Sequence, residues 1–231
     1  QLDAISFSFE NIGLGMNLNV VKPDFSLGDW DFGFNFKFPD GIGISIDTAA
    51  VKGAGLISYT DSTGELMGVL ELDVVDKFGV SALLFADLGT VEGHSFSLMA
   101  MISARFSPGI PLGMGFSLTA IGGALGLQRM LDRGAITTAV RQGTLDSVFF
   151  VEDVGKHLAE MKKSCEEIFP AKEGQFFLGL LAQISYEPVV RCNFGLFLQL
   201  PKPLEIIIVG ALKVGIKDLD IIRINVYFAG G

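Results

Sequence analysis

Two histidines, two cysteines and a few paired carboxylates are the conventional catalytic material of this chain. His94 sits in Gly93-His94-Ser95, the pattern of a turn or a strand start, and His157 falls where the periodicity is helical. A Ser-His-Asp or Cys-His set can converge from distant positions, but no stretch has the spacing of a nucleophile elbow. Both histidines read as structural. Cys165 and Cys192 are too few for a disulfide scaffold and lack zinc-ligand spacing. They read as buried or half-buried free thiols, with a single bridge left open.

The carboxylates pair as Glu71/Asp73, Glu152/Asp153, Glu166/Glu167 and Asp218/Asp220. Glu71 and Asp73 would share one strand face, a placement suited to acid/base work or to a cation. A solvated strand face is the plainer reading. Gly122-Gly123-Ala124-Leu125-Gly126 resembles a phosphate cradle only superficially. It lacks the Lys-Ser/Thr of a P-loop and the spacing of a dinucleotide fingerprint, so it reads as a tight turn leaving a strand. Arg129, Arg133 and Arg141 are read as pairing with Asp132 and Asp146. These residues define no catalytic centre, and no metal or cofactor is expected.

Strands must position whatever site exists, because period-two alternation dominates the chain. Ile5, Phe7 and Phe9 alternate with Ser6, Ser8 and Glu10; Leu14, Met16, Leu18 and Val20 alternate with glycine and asparagine. The strongest stripe is Trp30, Phe32, Phe34, Phe36 and Phe38, stopped by Pro39-Asp40-Gly41. Ile42, Ile44 and Ile46 follow. Asp61-Ser62-Thr63-Gly64 is a hairpin turn between strands at 51–59 and 65–75. Further strands are predicted at 77–87, 94–106, 111–120, 175–187, 190–200, 204–216 and 219–228. Short connections favour antiparallel neighbours.

Residues 129–170 break this pattern. Asp132 is placed to cap a helix through about Gln142, and Asp153 a second that ends at Pro170. Val154, Leu158, Met161, Cys165 and Ile168 give the second helix one apolar face. The fold class is therefore mostly β: curved antiparallel sheets, as a sandwich or an open groove, with a two-helix insertion at about 130–170. The domain reading is a sheet region at 1–128, a helical insertion at 129–170, and the same sheet domain continuing at 171–231. Glycines inside strand patterns suggest bends or close approaches. Gly41-Ile-Gly43-Ile-Ser45 has a weak echo in Gly113-Met-Gly115-Phe-Ser117, which marks either two related units or chance. Strand-like runs at both ends, Leu2 to Phe9 and Ile221 to Phe228, read as those of a fragment.

The 231 residues carry a net charge of −9 and scattered bases, which disfavours nucleic acid and anionic membrane surfaces. Hydrophobic residues make up 49% and charged residues 19%, with a mean hydropathy of +0.49. That surplus needs a core, a partner or an apolar ligand to cover it. No apolar run approaches the ~18 residues of a membrane helix.

Several stretches resemble an uncharacterised bacterial domain family, DUF6603. They are residues 41–59, FSLMAMISARF at 96–106, PLGMGFSLTAIGGALGLQR at 111–129, GTLDSVFF at 143–150, IFP at 168–170, GQFFLG at 174–179 and LPKPLEIIIVG at 201–210. The resemblance implies a long, β-rich parent protein and carries no assigned reaction. KHLAEMKKSCEE is more charged than the family pattern implies.

The function expected is non-enzymatic: a β-rich structural or assembly module whose apolar sheet face packs against other segments of its parent or other chains. The alternatives are a β-groove carrier of lipid or another apolar ligand, and a segment of a membrane β-barrel. One Trp and three Tyr are few for the aromatic girdles of a barrel. The candidate ligand or packing face comprises Trp30, Phe32, Phe34, Phe36, Phe38, Phe96, Leu98, Ile102, Leu204, Ile206, Ile208 and Leu212.

Overall fold

The computed structural model describes residues 4–11, 13–20, 30–37, 40–89, 95–142, 148–150, 158–186, 189–201, 204–216 and 219–230. Alternating sequence becomes strand through most of the main sheet. The strands are β1 (Ala4–Glu10), β2 (Gly13–Val20), β3 (Trp30–Lys37), β4 (Gly41–Asp47), β5 (Val51–Thr60), β6 (Glu65–Val74) and β7 (Phe78–Asp87). They continue as β8 (Ser97–Gly113), β9 (Phe116–Arg129), β10 (Ala171–Tyr186), β11 (Val190–Leu200), β12 (Glu205–Ile216) and β13 (Leu219–Gly230). Among the described residues two helices, α1 (Arg133–Gln142) and α2 (Leu158–Ile168), lie between β9 and β10.

Eleven strands form one antiparallel sheet in the order β1-β4-β5-β6-β7-β8-β9-β10-β11-β12-β13, which does not close. The hairpin β2–β3 is a sheet of its own. It interrupts β1 and β4, whose pairing ends at Glu10↔Gly41. Asn11 adopts φ 55 there and donates from Nδ2 to Asp40 Oδ2 at 2.8 Å. The stripe from Trp30 to Phe36 therefore belongs to a separate ribbon and not to the sheet that carries the other candidate residues.

Two expectations change at β8–β9. The strand predicted at 111–120 is divided by a turn at Met114-Gly115, where both residues have positive φ (51° and 85°). Such a turn matches the twist of a hairpin, but Met-Gly is not a pair that announces it. The glycine tract at 122–126 is no turn; it lies inside β9. The echo between 41–46 and 113–118 also dissolves, since the first lies within β4 and the second spans the β8–β9 turn.

The helices cover one face of the sheet. Asp132 caps α1, accepting from the Ala135 N–H at 2.8 Å. Ile136 and Ala139 then face inward, and Arg133 meets Glu205 of β12 at 2.8 Å. On α2, Met161, Cys165 and Ile168 are buried at helical spacing, and the helix stops just before Pro170. The expected start at Asp153 lies outside the described residues. Below the helices the inward residues of β7 to β12 complete one core, including Leu83, Phe85, Met99, Met101, Phe177, Phe197, Ile207 and Val209.

Four phenylalanines organise that core. Phe169 stacks on Phe177 at 4.9 Å between centroids, and Phe197 meets Phe149 at 5.5 Å. The rings need room, and glycines on neighbouring strands provide it. A Cβ on Gly179 would come within 2.6 Å of the Phe197 ring, and one on Gly195 within 2.8 Å of both Phe149 and Phe197. Gly126 lies under Phe177 in the same way. Glycine weakens a strand by itself, but an overlying ring restores the lost packing.

Phe197→Ala should cost about 3–5 kcal/mol by removing a fully buried ring. Gly179→Val should also destabilise, because the ring above it cannot stay in place. Urea denaturation followed by circular dichroism checks both, with a lowered midpoint expected for each.

Candidate functional site

Register fixes what the uncovered face looks like. Through Ile42↔Ile57, Ile57↔Gly68, Gly68↔Leu84, Leu84↔Ala100 and Ala100↔Leu125, one apolar row crosses from β4 to β9. A second row runs Phe7, Ile44, Gly55, Leu70, Ala82, Ile102, Gly123 and on to Leu180. No charged residue interrupts either row. Many of these side chains are open to solvent, among them Phe7 (63%), Ile102 (58%) and Leu180 (66%).

A cavity of about 790 Å³ lies on this face, lined by residues of eight successive strands from β1 to β10. A single sheet holds such a cavity only by curving towards it. Breaks in register between Arg105 and Ile110, and between Gln183 and Ile184, are bulges of the kind that bend and twist strands. The apolar face is the one that carries the cavity. On β1 and β4 to β6 the opposite face carries Ser8, Glu10, Ser45, Asp47, Lys52, Glu71 and Asp73, beside the apolar Leu56, Met67 and Val69.

Of the twelve residues singled out by sequence, Ile102 lines the cavity. Leu98, Ile206, Ile208 and Leu212 share its face further along the sheet, with Ile206 and Ile208 exposed and Leu98 and Leu212 half-buried. Phe96 and Leu204 are exposed just before β8 and β12. Trp30, Phe32, Phe34 and Phe36 are set opposite Val20, Leu18, Met16 and Leu14 by register. Their side chains, and Phe38 entirely, lie outside the described residues. The cavity wall that sequence reasoning missed is Phe7, Ile42, Ile44, Ile57, Leu70, Leu84 and Leu125. Alternation marked most of these as strand, but it could not say which stripes register would join.

The polar candidates have structural partners. Arg105 contacts Glu71 at 3.2 Å and Asp73 at 4.0 Å, which makes that pair of carboxylates half of an ion cluster. Arg133 pairs with Glu205, and Asp132 serves as a cap. Arg129 is buried; it donates from Nη1 to the Phe169 carbonyl at 2.9 Å and from Nη2 to Ser97 Oγ at 3.2 Å. Desolvation lowers its pKa from the usual value, against the pull of Glu166 and other anions. This arginine ties the ends of β9 and α2 to the start of β8. A smaller cavity of about 300 Å³ lies beside it, lined in part by Glu65, Asp87, Lys162 and Glu166. His94, His157, Asp146, Glu152, Asp153 and Asp218 lie outside the described residues. Among the described residues no group of three or more His, Cys, Asp or Glu is placed to hold a metal ion. No helix is long and apolar enough to cross a membrane, among those same residues.

Both cysteines are free. Burial pushes the Cys165 thiol up to about 12, and also raises that of half-buried Cys192. Lys162 Nζ reaches Glu65 Oε2 at 2.8 Å and Glu166 at 3.6 Å, holding α2 to the start of β6. The bond from Lys162 holds the Glu65 carboxyl below its ordinary value. Desolvation is the largest single influence on Lys162 and opposes its charge, but the attractions of Glu65 and Glu166 together outweigh it and leave the lysine pKa raised.

An open antiparallel meander, with helices on one face and an apolar, cavity-bearing face on the other, defines a mostly β protein. The chain belongs to DUF6603, a family of unknown function whose model matches residues 1–231, its whole length. No curated protein and no solved structure matches it.

Two outcomes follow for this site. A thiol reagent at pH 8 should label Cys192 in the native protein and Cys165 only after denaturation, as counted by mass spectrometry. Lys162→Met should cost about 0.5 kcal/mol near neutrality, where both partners are charged. Glu65 has a lowered pKa, so its share of that stability is present above the ordinary carboxylate value and lost as pH falls through the lowered one. Denaturation curves of the two proteins should converge in strong acid.

Proposed function

We propose that this chain is a non-enzymatic β-trough that holds an apolar ligand on the concave face of its sheet. The observation that carries the reading is the cavity of about 790 Å³ walled by aliphatic and aromatic residues, while both helices and the core phenylalanines lie on the other face. Ligand cavities are typically a few hundred to about 1,000 Å³ and mainly apolar. Burying apolar surface at about 25 cal/mol per Å² drives loading without any polar anchor. The net charge of −9 argues against a polyanionic ligand.

A second reading has its own support. Beyond the cavity the same face continues through Leu178, Phe194, Leu196, Ile206 and Ile208, all exposed. Contiguous apolar surface of this kind also suits packing against other segments or other chains. Assembly through that half and ligand in the other are compatible.

Native mass spectrometry of the purified 231-residue protein, with organic extraction, separates the readings. Apolar small molecules at stoichiometric level, or saturable binding of Nile red to a monomer, are the expected results. An unliganded oligomer that leaves no site for the dye would sink the ligand reading in favour of assembly.

A further inference from the structure

The cavity has a direction, and it is set by where the small residues fall. On the trough face β5 carries Gly55, β6 Gly68, β7 Ala82, β8 Ala100 and β9 Gly123. Register places these alternately in the two apolar rows described above. They therefore form a zigzag across the strands, each flanked by a large neighbour: Ile57, Leu70, Leu84, Ile102 and Leu125. The zigzag spans four strand spacings, about 19 Å. It is a narrow furrow that crosses the sheet instead of running along a strand.

At Gly68 and Gly123 the furrow floor is open in a way the helix side is not, whereas Gly55 is closed in by Ile44 and Leu70 at 3.1 Å. Gly126, Gly179 and Gly195 each lie beneath a phenylalanine ring of this chain. On the trough side, a Cβ at Gly68 would meet nothing nearer than 3.4 Å, and one at Gly123 nothing nearer than 3.7 Å. Neither has a positive φ, so a side chain at either position meets no backbone obstacle. The slots that phenylalanine fills on one face are left to another occupant on the other.

We infer that this furrow takes a single long-chain acyl group, laid across strands β5 to β9. The inference rests on the ligand reading above and names the ligand's class. At roughly 30 Å³ for a group the size of a water or a methylene, the cavity of about 790 Å³ has room for about two dozen. Its length suits an extended chain, and its one-residue width suits a chain better than a fused ring. The furrow residues offer no hydrogen-bonding or charged side chain, so the polar head stays at the open rim.

The test is equilibrium binding of tritiated palmitate to the 231-residue protein, with tritiated cholesterol in parallel. Affinity should rise steadily from octanoate to palmitate in competition. The double variant Gly68→Leu/Gly123→Leu should weaken palmitate binding at least tenfold. Ala104→Val, on the same face but off the furrow, should leave it unchanged. Circular dichroism reports whether the double variant folds; if it does not, the chain-length series on the parent protein decides. Cholesterol binding without palmitate binding overturns the acyl inference and leaves the trough as a ligand site. Palmitate binding that is indifferent to chain length, or to the folded double variant, also overturns it. Failure of palmitate, cholesterol and Nile red alike overturns both readings.

Discussion

Side-chain phase is the constraint on which the rest of this structure depends. In a β-sheet a slip of one residue moves a whole strand's side chains to the opposite face. Here ten successive antiparallel pairings, from β1–β4 to β12–β13, keep apolar opposite apolar. The consequence is a sheet with one almost wholly apolar side and a second side divided in two. That second side is polar along β1 and β4, mixed on β5 and β6, where Met67 and Val69 pack against the core, and apolar beneath the helices. Antiparallel sheets commonly bury one face and solvate the other. In this chain the helices take the divided side, and the continuous apolar side remains open among the described residues.

The two helices do more than add a core. By anchoring to the β7–β12 half through Phe149, Phe169, Cys165 and Ile136, they fix that half as a layered block. Arg129 and Lys162 pin the ends, one through the Phe169 carbonyl and Ser97, the other through Glu65. Lys162 reaches β6, so α2 also braces the strands that wall the trough. Only one side of the block can be filled this way, because the insertion enters and leaves on a single face, between β9 and β10. Stability and the exposed apolar surface are thus supplied by opposite sides of the same strands.

Much of this was legible in the sequence. The alternation of Ile42, Ile44 and Ile46, the Asp61–Gly64 turn and the Asp132 cap each state a local rule that the structure obeys. The helical stripe of Met161, Cys165 and Ile168 was equally plain. What alternation cannot convey is which stripes become neighbours. The stripe from Trp30 to Phe36 is the strongest in the chain, yet it pairs only within its own hairpin. The site was harder to read than the fold for the same reason. Its floor is made of glycine and alanine, residues that carry little signal singly and acquire meaning once register sets them side by side. Gly122 to Gly126 shows the difficulty: a run that suggests a turn is a central strand, because Ile102, Leu181 and Phe177 approach it too closely for side chains at Gly122 and Gly126.

A meander also decides how a trough of this kind scales. Because the furrow crosses the strands, its length depends on how many strands stand side by side and not on how long each one is. Every added strand lengthens it by about 4.8 Å, and needs only a short turn and one more alternating stripe in phase. A barrel with an apolar interior would instead fix its capacity at closure. Small residues on alternate rows keep the furrow continuous, since a large side chain on both rows of one strand would block it. The sequence demands are therefore modest: alternation to hold the face, a glycine or alanine once per strand to hold the path, and one helical insertion on the far side to hold the sheet.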